Sequence, residues 1–208
     1  MSTNPATVYV VDDDESVRNA TARLLKSVGF RVETFASARE FLDHDHDDVP
    51  GCLILDVRMP GLSGMDLQQE LTAANVDLPI VFMSAHGDIP MSVRAMKAGA
   101  ADFLPKPVND QQLLDAVGQA IDRHILTCRS NAETQDIRSR IESLTQRERE
   151  VLDLVVDGLM NKQIASRLGI AEPTVKVHRR QVMAKMAADS LAELARMVEK
   201  SGVSTPKG

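Results

Sequence analysis

The sequence predicts an α/β domain built on a five-stranded, parallel, doubly wound sheet, then a helical linker and an all-α domain of four helices. Three observations lead to this fold class. Up to residue 126, apolar runs alternate with amphipathic segments, as in a parallel sheet covered by helices on both faces. Beyond residue 143, the apolar residues recur only at helical spacing. The 208 residues, of which 43% are hydrophobic, suffice for two cores.

The first part of the chain divides into five strand-helix units. We expect strands at 7–11, 30–34, 51–56, 79–83 and 101–104. We expect helices at 15–27, 37–43, 65–74, 88–98 and 110–126. Gly29 and Gly99 directly follow two of these helices, which is a common position for a glycine that ends a helix.

The second part begins after a polar segment without Gly or Pro. Ile137 and Ile141 in that segment have helical spacing, which predicts a helical linker. Thr145 and Glu148 have the spacing of a capping box and mark a new helical unit. We expect its helices at 146–157, 162–168, 173–186 and 190–200. The predicted domains are therefore 5–126, 127–143 for the linker, and 144–200.

Composition and charge narrow the compartment and the partners. Two cysteines without a disulfide framework fit a reducing compartment, and no apolar run approaches the roughly 20 residues of a membrane span. The start of the chain lacks the features of a signal peptide, so we expect a cytoplasmic protein with no membrane partner. Residues 1–125 carry 10 basic and 19 acidic residues, whereas 158–187 carry six basic and one acidic. This asymmetry indicates two kinds of partner, a cation and a polyanion.

Charged residues stand where the predicted strands end. Asp12 and Asp13 follow the first strand, Asp56 closes the third, and Lys106 follows the fifth. The carboxyl ends of parallel strands meet in one crevice, where ligands bind. Carboxylates gathered there favour a cation between them, and such hard oxygen ligands suit Mg²⁺. The sequence therefore predicts a magnesium site at this edge of the sheet.

The same crevice contains a candidate nucleophile. The carboxylate of Asp56 can accept a phosphoryl group and form an acyl phosphate, while Mg²⁺ neutralises charge. Lys106 can hold a phosphate oxygen, and Ser84, at the end of the fourth strand, can donate its hydroxyl to another. The alternative is that these acids only end strands and start helices. We prefer that alternative for Asp14 and Glu15 alone, because the first turn of a helix favours anions.

A second candidate site lies in the basic segment. Residues 161–170 predict a short helix and a glycine turn, and 173–186 predict a second helix, which together describe a helix-turn-helix. Val175 and Val182 are two turns apart and can face the core. We expect the opposite side to carry Lys176, Val177, Arg179 and Arg180. Such a face can enter the major groove of double-stranded DNA, although a solvated basic helix is the alternative.

Four motifs resemble the receiver domain of bacterial response regulators over about residues 5–126. They are Val11-Asp12-Asp13, Leu55-Asp56-Val57-Arg58-Met59-Pro60-Gly61, Ser84-Ala85 and Lys106-Pro107. The resemblance implies that Asp56 takes phosphate from a cognate histidine kinase. It also implies a metal ion held by Asp13, Asp56 and the backbone carbonyl of Arg58, with Asp12 acting through water.

The resemblance also implies a switch. Ser84 and Phe103 match positions at which the hydroxyl moves toward the phosphate and the aromatic ring turns inward. Many receiver domains have Tyr where this chain has Phe103, so a signal through a ring hydroxyl is not expected here. By resemblance the Lys106-Pro107 bond is cis, which X-Pro bonds tolerate more readily than others.

Residues 144–200 resemble the LuxR-type DNA-binding domain. The matching segments are 144–148, 151–152, Gly158, 161–165, 168–170 and 174–178. The resemblance implies four helices, of which the third contacts DNA and the fourth often pairs subunits. Lys176, Val177 and Arg180 match base-proximal positions, and Thr174 and His178 match positions near the DNA backbone. Ala171 stands where a capping hydroxyl is common, which weakens that helix start.

Together the two domains resemble the NarL/FixJ family of response regulators, which are transcription regulators and not enzymes. We expect phosphorylation of Asp56 to change the 88–104 surface, to drive homodimerisation and to control sequence-specific DNA binding, with RNA polymerase as a further candidate partner. The expected dimer face includes Met91, Val93, Arg94 and Met96. Two alternatives stay open at this point. One is a phosphohydrolase with Asp12 as nucleophile, and the other is a DNA-binding protein that phosphorylation does not control.

Overall fold

The structure is a computed structural model, and it describes residues 6–45, 49–85 and 89–202. The first part alternates strands and helices: β1 Thr7–Val11, α1 Glu15–Ser27, β2 Arg31–Phe35, α2 Ala38–Leu42, β3 Gly51–Asp56, α3 Gly64–Ala73, β4 Ile80–Ser84, α4 Ile89–Lys97, β5 Asp102–Pro105 and α5 Asp110–Glu142. The second part is helical: α6 Gln146–Val156, α7 Asn161–Leu168, α8 Glu172–Met186 and α9 Leu191–Ser201. The predicted fold class is confirmed. The predicted starts at residues 5 and 88 lie outside the described residues.

The five strands form one parallel sheet in the order β2-β1-β3-β4-β5. Successive residues of a strand point to opposite faces, so each strand contributes to two cores. One core joins Tyr9, Leu53 and Phe82 to the helices α2, α3 and α4. The other joins further strand residues to α1 and to the first half of α5: Val8, Ile54, Val81, Leu25 and Val117. The sheet is therefore doubly wound.

The edges of this sheet are β2 and β5. The edge strand β2 is partly exposed, with only its last residue fully buried, and it carries an ion pair in which Arg31 Nη2 lies 2.9 Å from Glu33 Oε1. The edge strand β5 is four residues long and ends at the exposed Pro105. The strands buried between these edges are almost entirely apolar, which is typical of a parallel sheet covered on both faces.

Side-chain caps explain the shifted starts of three helices, α2, α3 and α9. Ser63 and Asp66 form a capping box, so α3 begins at Gly64. Ser37 and Ser190 cap α2 and α9 with their side chains, and each helix begins one residue later than predicted. Ala171 precedes α8 without a side-chain cap, as the sequence indicated.

The segment predicted as a separate linker is the continuation of α5, which is one helix of 33 residues. The chain divides into two compact units, Met1–Cys128 and Arg129–Gly208. The domain boundaries at 126 and 144 stay predictions. Within the described residues, no helix combines the length and the apolar character that crossing a membrane requires.

The second unit has its own core. Ile137 and Ile141 of α5 pack with apolar residues of the four following helices: Val151, Leu152, Ile164, Val175, Val182, Met186, Leu194 and Val198. The predicted capping box of Thr145 and Glu148 is present at the start of α6. Gly169 ends α7 with a φ of +64°, a conformation that glycine adopts without strain, and this turn leads into α8. The helix-turn-helix geometry therefore rests on a packed core to which α5 and the four following helices contribute.

Candidate functional site

The carboxyl ends of β1 and β3 bring two acids and a lysine together. Asp12 follows β1 and is fully buried, and Asp56 closes the neighbouring strand β3 with 5% of its surface exposed. Lys106, directly after β5, crosses to both: its Nζ donates to Asp12 Oδ2 and to Asp56 Oδ1, each at 2.7 Å. The predicted convergence of these three residues is what the structure shows.

Each carboxylate in this cluster uses its second oxygen to fix a backbone loop. Asp12 Oδ1 accepts the N–H of Asp14 at 2.9 Å, and Asp56 Oδ2 accepts the N–H of Arg58 at 2.9 Å. Asp14 itself caps α1 by accepting two backbone N–H groups, which is the helix-starting role expected for it. The orientation of both buried carboxylates is thus set by one ammonium and one peptide group.

The electrostatics of the cluster follow from burial and from the short contacts. Burial raises the pKa of Asp56, the hydrogen bond from Lys106 opposes this, and the charge of Asp12 raises the pKa further. Burial alone would lower the pKa of Lys106, but its hydrogen bonds and charge interactions with the two carboxylates together outweigh burial and raise the pKa. Lys106 therefore stays a cation at neutral pH, facing two acids.

The remaining predicted residues of this site surround the cluster. Asp13 is exposed beside Asp12. Ser84 is buried at the end of β4, and its backbone carbonyl accepts the N–H of Lys106 at 2.8 Å. Phe103 is half-buried, with its ring centroid 6.1 Å from that of Phe82. The Lys106-Pro107 bond is cis, as the resemblance implied.

The oxygen atoms near the cluster suit a hard cation. Carboxylates of Asp12, Asp13 and Asp56 and the carbonyl of Arg58 are the kind of ligand that Mg²⁺ takes, usually together with several waters. Among residues 6–45, 49–85 and 89–202, no three His, Cys, Asp or Glu side chains form a ready-made metal cage. The donor set therefore fits Mg²⁺ through its chemistry, with water needed to complete the shell.

Two residues that the sequence analysis did not single out position this site. The Nη1 of Arg18, on α1, donates to the backbone carbonyl of Asp12 at 2.7 Å. Gly64, the first residue of α3, lies so close to Asp56 that a Cβ built on it would be 2.2 Å from the Asp56 carbonyl oxygen. The motif from Asp56 to Gly61 pointed toward this loop, but no local pattern marks a contact between Arg18 and Asp12.

The second predicted site is the exposed face of α8. Val175, Val182 and Met186 are buried, which confirms the predicted inner face. Lys176, Val177, Arg180 and Thr174 are exposed. Val177 is 56% exposed and stands next to Lys176. This face presents cations and one apolar group to the outside, the mixture that base edges of the major groove can bind.

The placement of Arg179 on the side opposite the core was wrong. Arg179 is half-buried, and its Nη1 donates to Oδ1 of Asn161, the first residue of α7, at 2.6 Å. His178 is also half-buried, and its Nδ1 has no hydrogen-bond partner within the described part of the chain. Both residues lie three or four positions after Val175, and positions so spaced share one helix face. The helical period therefore places both at the border between the buried and the exposed face of α8.

A partly buried ion pair fastens α8 to α6. Lys185 Nζ donates to Glu148 Oε2 at 2.7 Å, and Glu148 is almost fully buried. The same oxygen accepts the N–H of Thr145 at 2.8 Å. The hydrogen bond from Lys185, together with that from Thr145, lowers the pKa of Glu148. The carboxylate that caps α6 thus also orients the helix that carries the basic face.

Comparison with known proteins supports both parts of the chain. A family model described as the response regulator receiver domain matches residues 8–118. A model described as bacterial regulatory proteins of the luxR family matches residues 142–198. Nodulation protein W of Bradyrhizobium diazoefficiens is 52% identical over 199 residues, which are 96% of this chain and 88% of that protein. Transcriptional regulatory protein FixJ of Azorhizobium caulinodans is 46% identical over 94% of this chain and 93% of its own length.

Solved structures agree with this match. The response regulator StyR has 54% identity and a TM-score of 0.87, covering 94% of this chain and 99% of that one. Full-length FixJ from B. japonicum has 43% identity and a TM-score of 0.57, covering 95% and 97%. A receiver domain implies a histidine kinase as partner, and a luxR-type domain implies DNA. Such proteins are transcriptional regulators, which removes the phosphohydrolase alternative. The chain belongs to the two-component response regulators of the NarL/FixJ family, with a receiver domain followed by a luxR-type DNA-binding domain.

Proposed function

We propose that Asp56 is the phosphoacceptor through which a histidine kinase controls this regulator. The observation that carries the proposal is the pair of 2.7 Å contacts by which Lys106 holds Asp56 beside Asp12. An Asp56 carboxylate oxygen attacks the phosphorus of a phosphohistidine. The P–N bond breaks as the new P–O bond forms, and the released imidazole nitrogen takes a proton. Lys106 then keeps its charge next to the added phosphoryl oxygens.

A magnesium ion is part of the proposal. Asp12, Asp13, Asp56 and the backbone carbonyl of Arg58 would hold it, with water completing its shell. When bound, the ion neutralises charge between the carboxylates and the phosphoryl group. Ser84 is proposed to donate its hydroxyl to a phosphoryl oxygen, and Phe103 to follow this movement. Their positions at the ends of β4 and within β5 support these roles.

The proposed output is a homodimer formed through α4. Ile89, Val93 and Met96 are exposed apolar residues of this helix, and Ile89 is 79% exposed. They are spaced four and three positions apart and so share one face. Arg94 is exposed beside this stripe, whereas Met91 packs partly against the core. An apolar helix face of this kind suits a second copy of the same chain.

Dimerisation would deliver two α8 helices to two half-sites of double-stranded DNA, which raises the affinity through effective concentration. We assign base contacts to Lys176, Val177 and Arg180, and phosphate contacts to Thr174 and His178. Arg179 is proposed to act on DNA mainly through its bond to Asn161. Because a protein that binds bacterial DNA must be where that DNA is, we place this protein in the bacterial cytoplasm. RNA polymerase is a further candidate partner there.

The test compares Asp56→Asn with the unchanged protein, using acetyl phosphate and Mg²⁺ as phosphodonor and ion. We expect the unchanged protein to gain the mass of one phosphoryl group, to dimerise in sizing with light scattering, and to bind selected operator DNA more tightly. Asp56→Asn should do none of these. Asp77→Asn, at an exposed position on the way into β4, is the matched control and should behave like the unchanged protein. Equal responses of Asp56→Asn and the unchanged protein would refute the proposal.

A further inference from the structure

One polar side chain of the first unit is buried between two helices. Gln68 lies in α3 with 2% of its surface exposed. Its Nε2 donates to the backbone carbonyls of Ala95, at 3.3 Å, and of Ala98, at 3.2 Å. Ala95 belongs to the last turn of α4, and Ala98 directly follows that helix. Gln68 therefore binds the C-terminal end of α4 from the side.

The chemistry of a helix end explains what this contact does. The last carbonyls of a helix have no partner within the helix, and they need donors from elsewhere when they are buried. Gln68 supplies two donors from a neighbouring helix, one to the carbonyl of the exposed Ala98 and one to the carbonyl of Ala95, which also accepts the N–H of Ala100 at 3.0 Å. Both amide hydrogens are directed at carbonyls, so the orientation of the amide is fixed. These bonds fasten the C-terminal end of α4 to α3.

The carbonyl oxygen of the same amide is in a different situation from the nitrogen. Gln68 Oε1 is buried and has no hydrogen-bond partner within the described residues. A buried acceptor without a donor costs free energy, and an arrangement of α4 that satisfied it would recover that cost. The Gln68 amide therefore holds α4 through its two donated hydrogen bonds, while its own acceptor is left without a donor among the described residues. This combination suits a contact that forms in one of two positions of a helix.

The helix that carries Gln68 begins at the phosphoacceptor loop. Gly64, one turn earlier on α3, donates its N–H to the carbonyl of Val57 at 3.0 Å and packs against the backbone of Asp56. A shift of the Asp56 backbone therefore presses directly on the first turn of α3. At the other end of the connection, α4 carries the exposed residues Val93 and Met96.

We infer that Gln68 is a positioning residue that holds α4 in its resting position and so restrains dimerisation until Asp56 is phosphorylated. This inference rests on the proposed function and adds a route that does not pass through Ser84 or Phe103. In the resting protein the two amide bonds favour the position of α4 described here. When the Asp56 loop moves, α3 shifts and these bonds are given up.

The test is Gln68→Met, which keeps the length of the side chain and removes both donors and the unpaired acceptor. Without phosphodonor, we expect dimerisation of Gln68→Met to tighten roughly tenfold. This is less than the roughly 30-fold that losing two ordinary hydrogen bonds of the resting state would give, because the variant also removes the unpaired acceptor of that state. Hydrogen exchange of the 89–101 peptide should also become faster in the monomer. The neighbouring exposed Gln69 gives the matched control Gln69→Met, which should change neither quantity.

The double variant Gln68→Met/Asp56→Asn separates this inference from the proposed function. It should dimerise more tightly than Asp56→Asn alone, because the restraint acts without phosphate. If Gln68→Met matches the unchanged protein in exchange and in dimerisation, or dimerises less, the inference is wrong even when Asp56 is phosphorylated. If Asp56→Asn responds to phosphodonor like the unchanged protein, the proposed function fails instead. A melting curve of each variant confirms that it is folded.

Discussion

Replacing Gly64 with Ala should damage the phosphoacceptor loop more than its small size suggests. The added Cβ would stand 2.2 Å from the Asp56 carbonyl oxygen and 3.1 Å from Leu55 Cγ. Real Cβ atoms do not approach other atoms closer than 3.0 Å, so α3 and the Asp56 backbone must separate by about 0.8 Å. The bond from the Gly64 N–H to the Val57 carbonyl lies in the same place and must stretch. Overpacking of this kind typically costs about 1–3 kcal/mol.

The displacement also reaches the chemistry. A misplacement of about 1 Å near reacting groups lowers rates by up to roughly 100-fold, so we expect Gly64→Ala to slow phosphorylation by acetyl phosphate about tenfold or more. Mass spectrometry over time gives the rate, and urea unfolding gives the stability. Gly118→Ala is the control: nothing lies within 4 Å of its Cβ, and alanine stabilises a helix interior by about 1 kcal/mol relative to glycine. Phosphorylation of Gly64→Ala at the unchanged rate, with unchanged stability, would refute the packing argument.

Three further predictions concern charge. Burial raises the pKa of Asp56 above that of an ordinary aspartate, which is about 3.9. As the pH is lowered, the phosphorylation rate should therefore begin to fall while the pH is still above about 3.9. The pKa of Glu148 is lowered by Lys185, so its contribution to stability is complete above the unfolded-state value of about 4.3 and is lost as pH falls through the lower folded-state pKa. Glu148→Gln should therefore lower the free energy of unfolding in urea by about 2 kcal/mol at pH 7 and much less in acid. Arg179→Ala should weaken binding to all DNA sequences without changing the salt slope, whereas Arg180→Ala should cost about 1–3 kcal/mol at a single base pair in titrations of operator variants.

Each of these has an outcome that contradicts it. Circular dichroism at each pH separates loss of phosphorylation from unfolding, and a rate that stays constant down to pH 4 would contradict the raised pKa of Asp56. A Glu148→Gln protein that loses equal stability at neutral and acid pH contradicts the role given to the ion pair with Lys185. A salt slope that falls by about one in Arg179→Ala would mean that Arg179 contacts a DNA phosphate.

The strands and the acidic cluster were predictable because their signals are local. A short apolar run that ends in a charge fixes both the strand and the edge of the sheet at which the charge lies. Asp12, Asp56 and Lys106 were found in this way, although they lie far apart along the chain. The buried face of α8 followed from the spacing of Val175 and Val182 alone.

What the sequence analysis missed depends on pairs of distant residues. The residues next to Gln68 in the sequence do not indicate that its side chain donates hydrogen bonds to α4, because a glutamine in a helix is most often exposed. The sequence around Gly64 does not show why glycine is required there, because the space for a side chain is taken by the backbone of Asp56. The error at Arg179 was of another kind: its charge was given more weight than the helical period, which directs it toward Asn161.

The two edge strands have a consequence for how copies of this chain can associate. An edge strand exposes unpaired backbone groups and can template a strand from another molecule, which leads to aggregation. In β2 the ion pair of the exposed Arg31 with the half-buried Glu33 would have to lose bound water or its salt bridge when another chain packs against the strand. In β5 the short length and Pro105, which has no N–H, interrupt the ladder that such a chain would need. A continuous sheet running through two molecules is thereby disfavoured at both sides, and self-association is left to helix surfaces, where it can be reversible.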